Sequence, residues 1–463
     1  MNIQTKPVTS DTIIAQCTPQ GSGALALLRL SGTNAFTVGK KMANLASGKT
    51  LDHLKTHTIQ YGWVVDTQGN HIDQVLFLIM HAPKTFTGEN TLEITCHNNP
   101  FIIDAIIQQA IGHGARLAQP GEFTKQAVIN NKLDILQAEA INELIHANTQ
   151  QAMKQSLAQL QGSLSQHITD IESHLVKALA LSEASFEFIE EDVSFDQQIN
   201  EQLSKVSTAI TTIHKQFDQQ KQIRQGVRVA IIGTVNAGKS SLFNTLLGTQ
   251  RAIVTSQAGT TRDTVEASIY YSGNYITLVD TAGLRKTNDA IEQEGINRSW
   301  NEAAQADIIF LVYDGSQNVS IQAQAIYQKI LEHYPEKIIV IRNKADQANN
   351  TPNKLPIVKD MLSFSSKNGT GQQELHSLLV EKIAELTQHG TTPFLLNQRQ
   401  YTLVCSVEKK VHEAYKLLKK DRIAHELLSY HLQQAIAELG QLSGKTIHEK
   451  MLNSVFSTFC VGK

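Results

Sequence analysis

The octapeptide Gly233-Thr234-Val235-Asn236-Ala237-Gly238-Lys239-Ser240 constrains this chain more than any other feature. It has the form G-x-x-x-x-G-K-S, a loop whose glycines let the backbone curl around phosphate oxygens. Successive N–H groups and the N-terminus of the following helix favour negative charge there. Such a loop belongs between a strand and a helix. Arg228 to Ile232 reads as the strand, and Ser241 to Leu247 reads as the helix.

Three further strings follow in order: Asp280-Thr281-Ala282-Gly283, Asn343-Lys344-Ala345-Asp346 and Ser365-Ser366-Lys367. Each suits a different part of one ligand, so the ordered set implies a GTPase domain. Lys239 is expected to reach the β- and γ-phosphates and Ser240 to ligate Mg²⁺, with Asn236, Ala237, Gly238 and Ser241 completing the phosphate side. Asp280 is expected to hold Mg²⁺ through water, and the Gly283 N–H to sense the γ-phosphate. Asp346 is expected to accept two N–H groups from guanine, where adenine offers a mismatched pattern. An unpaired buried carboxylate costs roughly 2–5 kcal/mol, which favours GTP over ATP. Ser365, Ser366 and Lys367 support the base from the other side. Gly259-Thr260-Thr261-Arg262-Asp263 lies where a switch loop belongs, and Thr261 is the candidate that closes onto Mg²⁺.

One position departs from the Ras-type machine. The place of its water-orienting glutamine holds Leu284, which cannot orient water. Asp289, Glu292 and Glu294 are the next acidic candidates, and no arginine finger can be named.

The 463 residues suggest about three domains. A net charge of −2 does not advertise nucleic acid. Cys17, Cys96, Cys405 and Cys460 are far apart with no C-x-x-C, which suits a reducing compartment rather than a disulfide framework or zinc site. Met1 to Gln16 has no apolar secretory core, and apolar runs such as Ile308 to Tyr313 are too short to span a bilayer. The expectation is a cytoplasmic protein with no membrane association.

Three textures divide the chain. Residues 1–127 mix short β-like runs (Val75 to Met80, Leu92 to Cys96) with one helical stretch from Pro100 to Ala110. Residues 128–222 are helical. Leu157, Leu160, Leu164, Ile168, Ile171, Leu175 and Leu179 recur at spacings of three and four, which predicts one long amphipathic helix. Residues 223–387 alternate strands with helices; Val227 to Ile232, Tyr275 to Val279, Ile308 to Tyr313, Lys337 to Ile341 and Met361 to Phe364 are expected in a parallel sheet. Residues 388–463 return to helix. The fold expected is a P-loop, Ras-like GTPase domain inserted in an all-α domain, preceded by an α/β N-terminal domain.

These residues resemble the MnmE (TrmE) family of tRNA-modification GTPases over nearly the whole chain. The resemblance rests on Asn236, the Gly259–Asp263 switch, Asp280 to Arg285, Phe86-Thr87-Gly88-Glu89, Pro120-Gly121-Glu122-Phe123 and the terminal Phe459-Cys460-Val461-Gly462-Lys463. It implies a potassium ion in place of an arginine finger, held by Asn236, Thr255, Gln257 and Thr260, with Ser256 and Ala258 also lining the nucleotide. Glu292 corresponds to the water-orienting glutamate. It further implies a constitutive homodimer through an N-terminal domain that binds a reduced folate (5-formyl- or methylene-tetrahydrofolate), with contacts carried onto Arg29, Glu93, Lys132 and Lys463. Cys460 carries either a redox or nucleophilic role or a packing role; the tail does not fit a prenylation signal. The implied activity is modification of carbon 5 of the tRNA wobble uridine by an aminomethyl or carboxymethylaminomethyl group. It proceeds with the flavoprotein MnmG in a heterotetramer.

This sequence departs from the family at Gly21-Ser22-Gly23 (usually Gly-Arg-Gly), at His97-Asn98-Asn99-Pro100 (usually His-Gly-Gly-Pro) and at Val235 (usually proline). The alternative function is a ribosome-assembly or stress GTPase that binds rRNA without modifying it. The lysines and arginine at 409, 410, 416, 419, 420 and 422 form a basic run that suits either RNA contact or a solvated helix face.

Overall fold

The computed structural model describes residues 11–187, 195–248, 265–280, 300–347, 361–387, 392–420, 423–446 and 449–462. The chain forms two compact units. The first comprises Met1–Asn142, Gln159–Ser207 and Thr402–Lys463, and the second comprises Glu143–Ala158 and Thr208–Tyr401. The second is thus inserted, in chain order, between parts of the first.

The first unit contains a seven-stranded sheet. Its strands are β1 (Ile13–Gln16), β2 (Leu25–Ser31), β3 (Ala43–Leu45), β4 (Thr58–Val65), β5 (His71–Met80), β6 (Thr91–His97) and β7 (Arg116–Leu117), in the order β3-β4-β5-β6-β2-β1-β7. All neighbours are antiparallel except β1 and β7. One face is apolar: Leu28, Leu30, Phe77, Ile79, Leu92 and Ile94 are fully buried. Helices Ala35–Met42 and Pro100–Gly112 pack against it. Asn99 caps the latter by accepting from Phe101 N, and Pro100 occupies the first helical position, where a missing N–H costs nothing.

The same unit holds a helical pair, Ser163–Glu187 against His425–Ser443. Leu164, Ile168, Ile171 and Leu175 are at most 3% exposed, and each such burial contributes about 1.5–3 kcal/mol. Ser182 Oγ donates to His425 O at 3.3 Å and lies 2.9 Å from Ser429 Oγ, which fixes the register of the pair. The single helix expected across residues 157–179 is instead two, Gln150–Leu160 and Ser163–Glu187. Gly162 breaks the run: its φ is +99°, which glycine adopts without steric cost. Leu157, on the near side of the break, is 44% exposed.

The second unit is built on β8 (Val227–Gly233), β9 (Val265–Tyr271), β10 (Asn274–Asp280), β11 (Ile308–Asp314), β12 (Ile338–Asn343) and β13 (Leu362–Ser363), ordered β13-β12-β11-β8-β10-β9. The five expected strands are present and parallel; β9 pairs antiparallel to β10 at the edge. Both faces are covered. Along β8, Val229 and Ile231 enter one core and Ala230 and Ile232 the other, which is why the strand reads as a continuous apolar run. After β10 the chain crosses to the opposite side of β8, so the strand order reverses beside β8, where open α/β sheets bind ligands.

Candidate nucleotide-binding site

The phosphate loop leaves β8 at Gly233 and enters the helix Lys239–Gly248. Its backbone takes positive φ at Asn236 (+62°) and at Gly238 (+89°). Glycine at 238 is required twice over, because a Cβ there would lie 2.0 Å from Asn343 Nδ2. That amide donates to Ala237 O at 2.8 Å, so the third motif braces the first across the sheet. Asn343 Oδ1 is buried and has no partner among the described residues.

Lys239 Nζ donates to Gly233 O at 2.7 Å and Thr234 O at 2.8 Å, closing the loop onto itself. The side chain is buried. Burial pushes its ammonium pKa down, and the neighbouring Asp280 carboxylate opposes that shift. Asp280, buried at the end of β10, accepts from Ser240 Oγ at 2.9 Å. This hydroxyl and carboxylate are hard oxygen donors of the kind Mg²⁺ takes.

The base side is equally tied together. Ser365 Oγ donates to Asp346 Oδ1 at 2.7 Å, which joins the third and fourth motifs. Ala345 N donates to Phe364 O at 3.1 Å. Lys344 takes φ +60° and donates to Asp314 Oδ2 at 2.6 Å. Burial pushes the Asp314 carboxyl up, but hydrogen bonds from Lys344 and Ser316 outweigh it and hold the group below its ordinary range.

Two supporting residues were not anticipated. Asp314 orients Lys344; the strand-end Asp314-Gly315 pair was its sequence signal. Tyr327 is fully buried, accepts from Thr234 N at 2.8 Å, and lies 3.1 Å from Val312 O, which pins the start of the phosphate loop. Nothing in the local sequence marks a helical tyrosine for that role.

Asn236 to Ser241, Asp280, Asn343 to Asp346 and Ser365 to Lys367 therefore all sit at or just beyond the C-terminal ends of β8, β10, β12 and β13. Thr255 to Asp263, Thr281 to Leu284, Asp289, Glu292, Glu294, Arg422 and Lys463 lie outside the described residues.

A second cluster lies in the seven-stranded sheet. Arg29 on β2 is directly opposite Glu93 on β6, and the two form an ion pair at 2.8 Å. The Arg29 guanidinium lies 5.5 Å from the ring centroids of both Phe86 and Phe123, which draws the Phe86–Glu89 and Pro120–Phe123 strings to one place. Lys132 Nζ donates to Pro83 O at 3.0 Å. Gly121 N donates to Cys460 O at 3.3 Å, and Phe456 and Phe459 close against Gly121. Cys460 itself is exposed. The two atypical strings meet: Asn98 Nδ2 donates to Gly21 O at 2.8 Å.

A family model described as the MnmE helical domain matches residues 135–460, and one described as the GTP-binding protein TrmE N-terminus matches residues 12–132. The chain belongs to the MnmE family. The tRNA modification GTPase MnmE of Aquifex aeolicus is 36% identical over 98% of this chain and 100% of its own length. That of Petrotoga mobilis is 35% identical over 98% of this chain and 100% of its own. The solved structure of Aquifex aeolicus Era covers 42% of this chain and 68% of its own, at 26% identity and a TM-score of 0.27. The helical family model runs from one side of the nucleotide site to the other, so the inserted GTPase unit is part of the MnmE plan.

Proposed function

We propose that this protein hydrolyses GTP and couples that hydrolysis to modification of carbon 5 of the tRNA wobble uridine. The observation that carries the nucleotide half is the bracing of the phosphate loop by Asn343 together with the bond between Ser365 and Asp346. Loop, base reader and base support form one connected frame, so a nucleotide bound at either end meets a preorganised partner at the other. The tRNA half rests on full-length relatives named tRNA modification GTPase and on a matched N-terminal domain that a ribosome-assembly GTPase of the Era kind would not need.

In this reading Lys239 and the loop amides hold the phosphates, while Ser240, Asp280 and Thr261 hold Mg²⁺. Asn236, Thr255, Gln257 and Thr260 hold K⁺, which supplies the positive charge that an arginine finger provides elsewhere. Glu292 orients water in place of the residue that Leu284 replaces. Arg29, Glu93, Lys132 and Lys463 hold the reduced folate, which supplies the one-carbon unit. Arg29 suits the folate's carboxylate tail, being a partly exposed cation pinned by Glu93 and within 5.5 Å of two aromatic ring centroids. The partners are tRNA, the flavoprotein MnmG and a second copy of the chain. Support for the homodimer comes from β4 and β5, where Ile59, Tyr61 and Leu76 are 61%, 46% and 43% exposed and Tyr61 pairs directly with Leu76. Among the described residues no helix is long and apolar enough to cross a membrane.

GTP turnover in equal concentrations of KCl and NaCl tests the potassium part. Faster hydrolysis in KCl is expected; equal rates would overturn it.

A further inference from the structure

We propose that one face of the helix Gln398–Leu418, continued by the turn after it, binds the phosphate backbone of an RNA. This inference rests on the tRNA reading above and locates the tRNA on the first unit.

The helix is amphipathic in a particular way. Val404, Val407, Val411, Ala414 and Leu417 are buried at no more than 5% exposure. The opposite side carries Lys409, His412 and Lys416, all exposed and spaced three and four residues apart. At 100° per residue these three fall within an arc of roughly 60°. Lys419 and Lys420 extend the row into the turn, where Lys420 N still donates to Leu417 O at 3.2 Å. From Lys409 to Lys420 the row spans about 16 Å at helical rise, long enough to meet several phosphates.

Charge balance singles out this row. The chain as a whole carries a net −2, so the local excess is not a by-product of a basic composition. Glu413 borders the row and pairs with Lys416 at 2.9 Å, and Glu408 lies on its flank. Lys409, Lys419 and Lys420 have no carboxylate partner among the described residues. A solvated helix face gains from alternating signs; four lysines on one side repel each other and are stabilised by an external polyanion.

The shape points the same way. His412, Tyr415, Lys416 and Lys419 line a groove of about 270 Å³. Tyr415 is held in place by a 3.4 Å contact from its hydroxyl to Asn200 O. An aromatic ring set among cations is the arrangement by which proteins track a nucleic-acid strand, the cations taking phosphates and the ring a base. An acidic protein surface would use the cations but not the ring.

The test is tRNA binding by the full-length protein over a range of salt concentrations. It compares the parent with Lys409→Ser/Lys416→Ser/Lys419→Ser and with a control, Lys40→Ser/Lys177→Ser/Lys205→Ser, that removes three exposed lysines elsewhere in the same unit. GTP hydrolysis serves as the folding check, since none of the six residues lies in the nucleotide site. Each phosphate contact contributes roughly 0.7–0.9 to the slope of log affinity against log salt. The first variant is expected to bind more weakly with a slope shallower by about 2 to 3, and the control to keep the parental slope. A parental slope in the first variant, or an equal loss in the control, overturns the assignment and leaves the face to an acidic protein surface. If the parent itself fails to bind tRNA, the tRNA reading falls and this inference with it.

Discussion

Asn343 Nδ2 donates to Ala237 O at 2.8 Å, linking two motifs 106 residues apart in sequence. The residue that begins the base-reading string is thereby a structural member of the phosphate loop. Asn343→Ala removes the donor and opens space beside Gly238. A buried acceptor left unpaired costs about 1–3 kcal/mol. GTP affinity is expected to fall by roughly fivefold or more as the loop loosens, with the fold retained. Calorimetric GTP titration checks this, and unchanged affinity would show that the brace does not matter for binding.

Gly238→Ala probes the same contact from the other side. The added methyl would meet Asn343 Nδ2 at 2.0 Å on a backbone with φ +89°. Nucleotide binding should be lost or severely weakened while circular dichroism stays native. Parental binding would mean that the loop relaxes freely.

Asp346→Asn should weaken GTP and favour xanthosine triphosphate, because the changed carboxyl no longer accepts both guanine N–H groups. Ser365→Ala, which removes the 2.7 Å support of that carboxylate, should weaken GTP by a smaller factor. Competition titrations with both nucleotides separate the two effects; unchanged GTP preference in Asp346→Asn would place base reading elsewhere.

The nucleotide motifs were legible because their chemistry demands glycines, a lysine and carboxylates at fixed spacing, and those residues fall where the sheet delivers them. The strands at 227, 308 and 338 were legible as doubly buried apolar runs, and those at 275 and 362 as shorter apolar stretches leading into the motifs. The edge strand Val265–Tyr271 was not, because it alternates apolar and polar residues rather than forming an unbroken apolar run; its pairing with β10 is local, through the two-residue turn Ser272-Gly273 at positive φ. Gly162 is hidden as a helix break because the leucine spacing runs on across it. Asp314 and Tyr327 act through neighbours rather than on the ligand; the strand-end Asp314-Gly315 pair is the one local signal for the former, and nothing local marks the latter. In the N-terminal sheet the resemblance named Arg29 and Glu93 separately, and only strand register shows them face to face.

Glu122 offers a pH test of the N-terminal sheet. Its buried position pushes the carboxyl up, but Arg116 and the Gln119 N–H outweigh that, so its folded pKa lies below the ordinary value near 4.5. A depressed carboxyl pKa stabilises the fold above the unfolded value and loses that contribution as pH falls through the folded one. The Arg116 side chain is 42% exposed, so the pair contributes about 1 kcal/mol after screening. Urea unfolding should find Glu122→Gln less stable than the parent at pH 7, with the gap closing below about pH 4. A gap that persists unchanged in acid would rule out the carboxylate as its source.

Glu292→Ala should leave GTP affinity nearly intact and lower turnover by about 10²-fold or more, because a water-orienting group acts in the transition state. Single-turnover hydrolysis on saturated enzyme tests this, with Asp289→Ala and Glu294→Ala as controls. Parental turnover in Glu292→Ala alongside collapse in a control would move the role to that neighbour.

The most direct measurement is nucleoside analysis of tRNA from a strain deleted for this protein and complemented with either the parent or Asp346→Asn. The account predicts that aminomethyl and carboxymethylaminomethyl groups at carbon 5 of the wobble uridine disappear on deletion. They should return with the parent and stay absent, or nearly so, with the variant. An unchanged nucleoside profile in the deletion strain would contradict it.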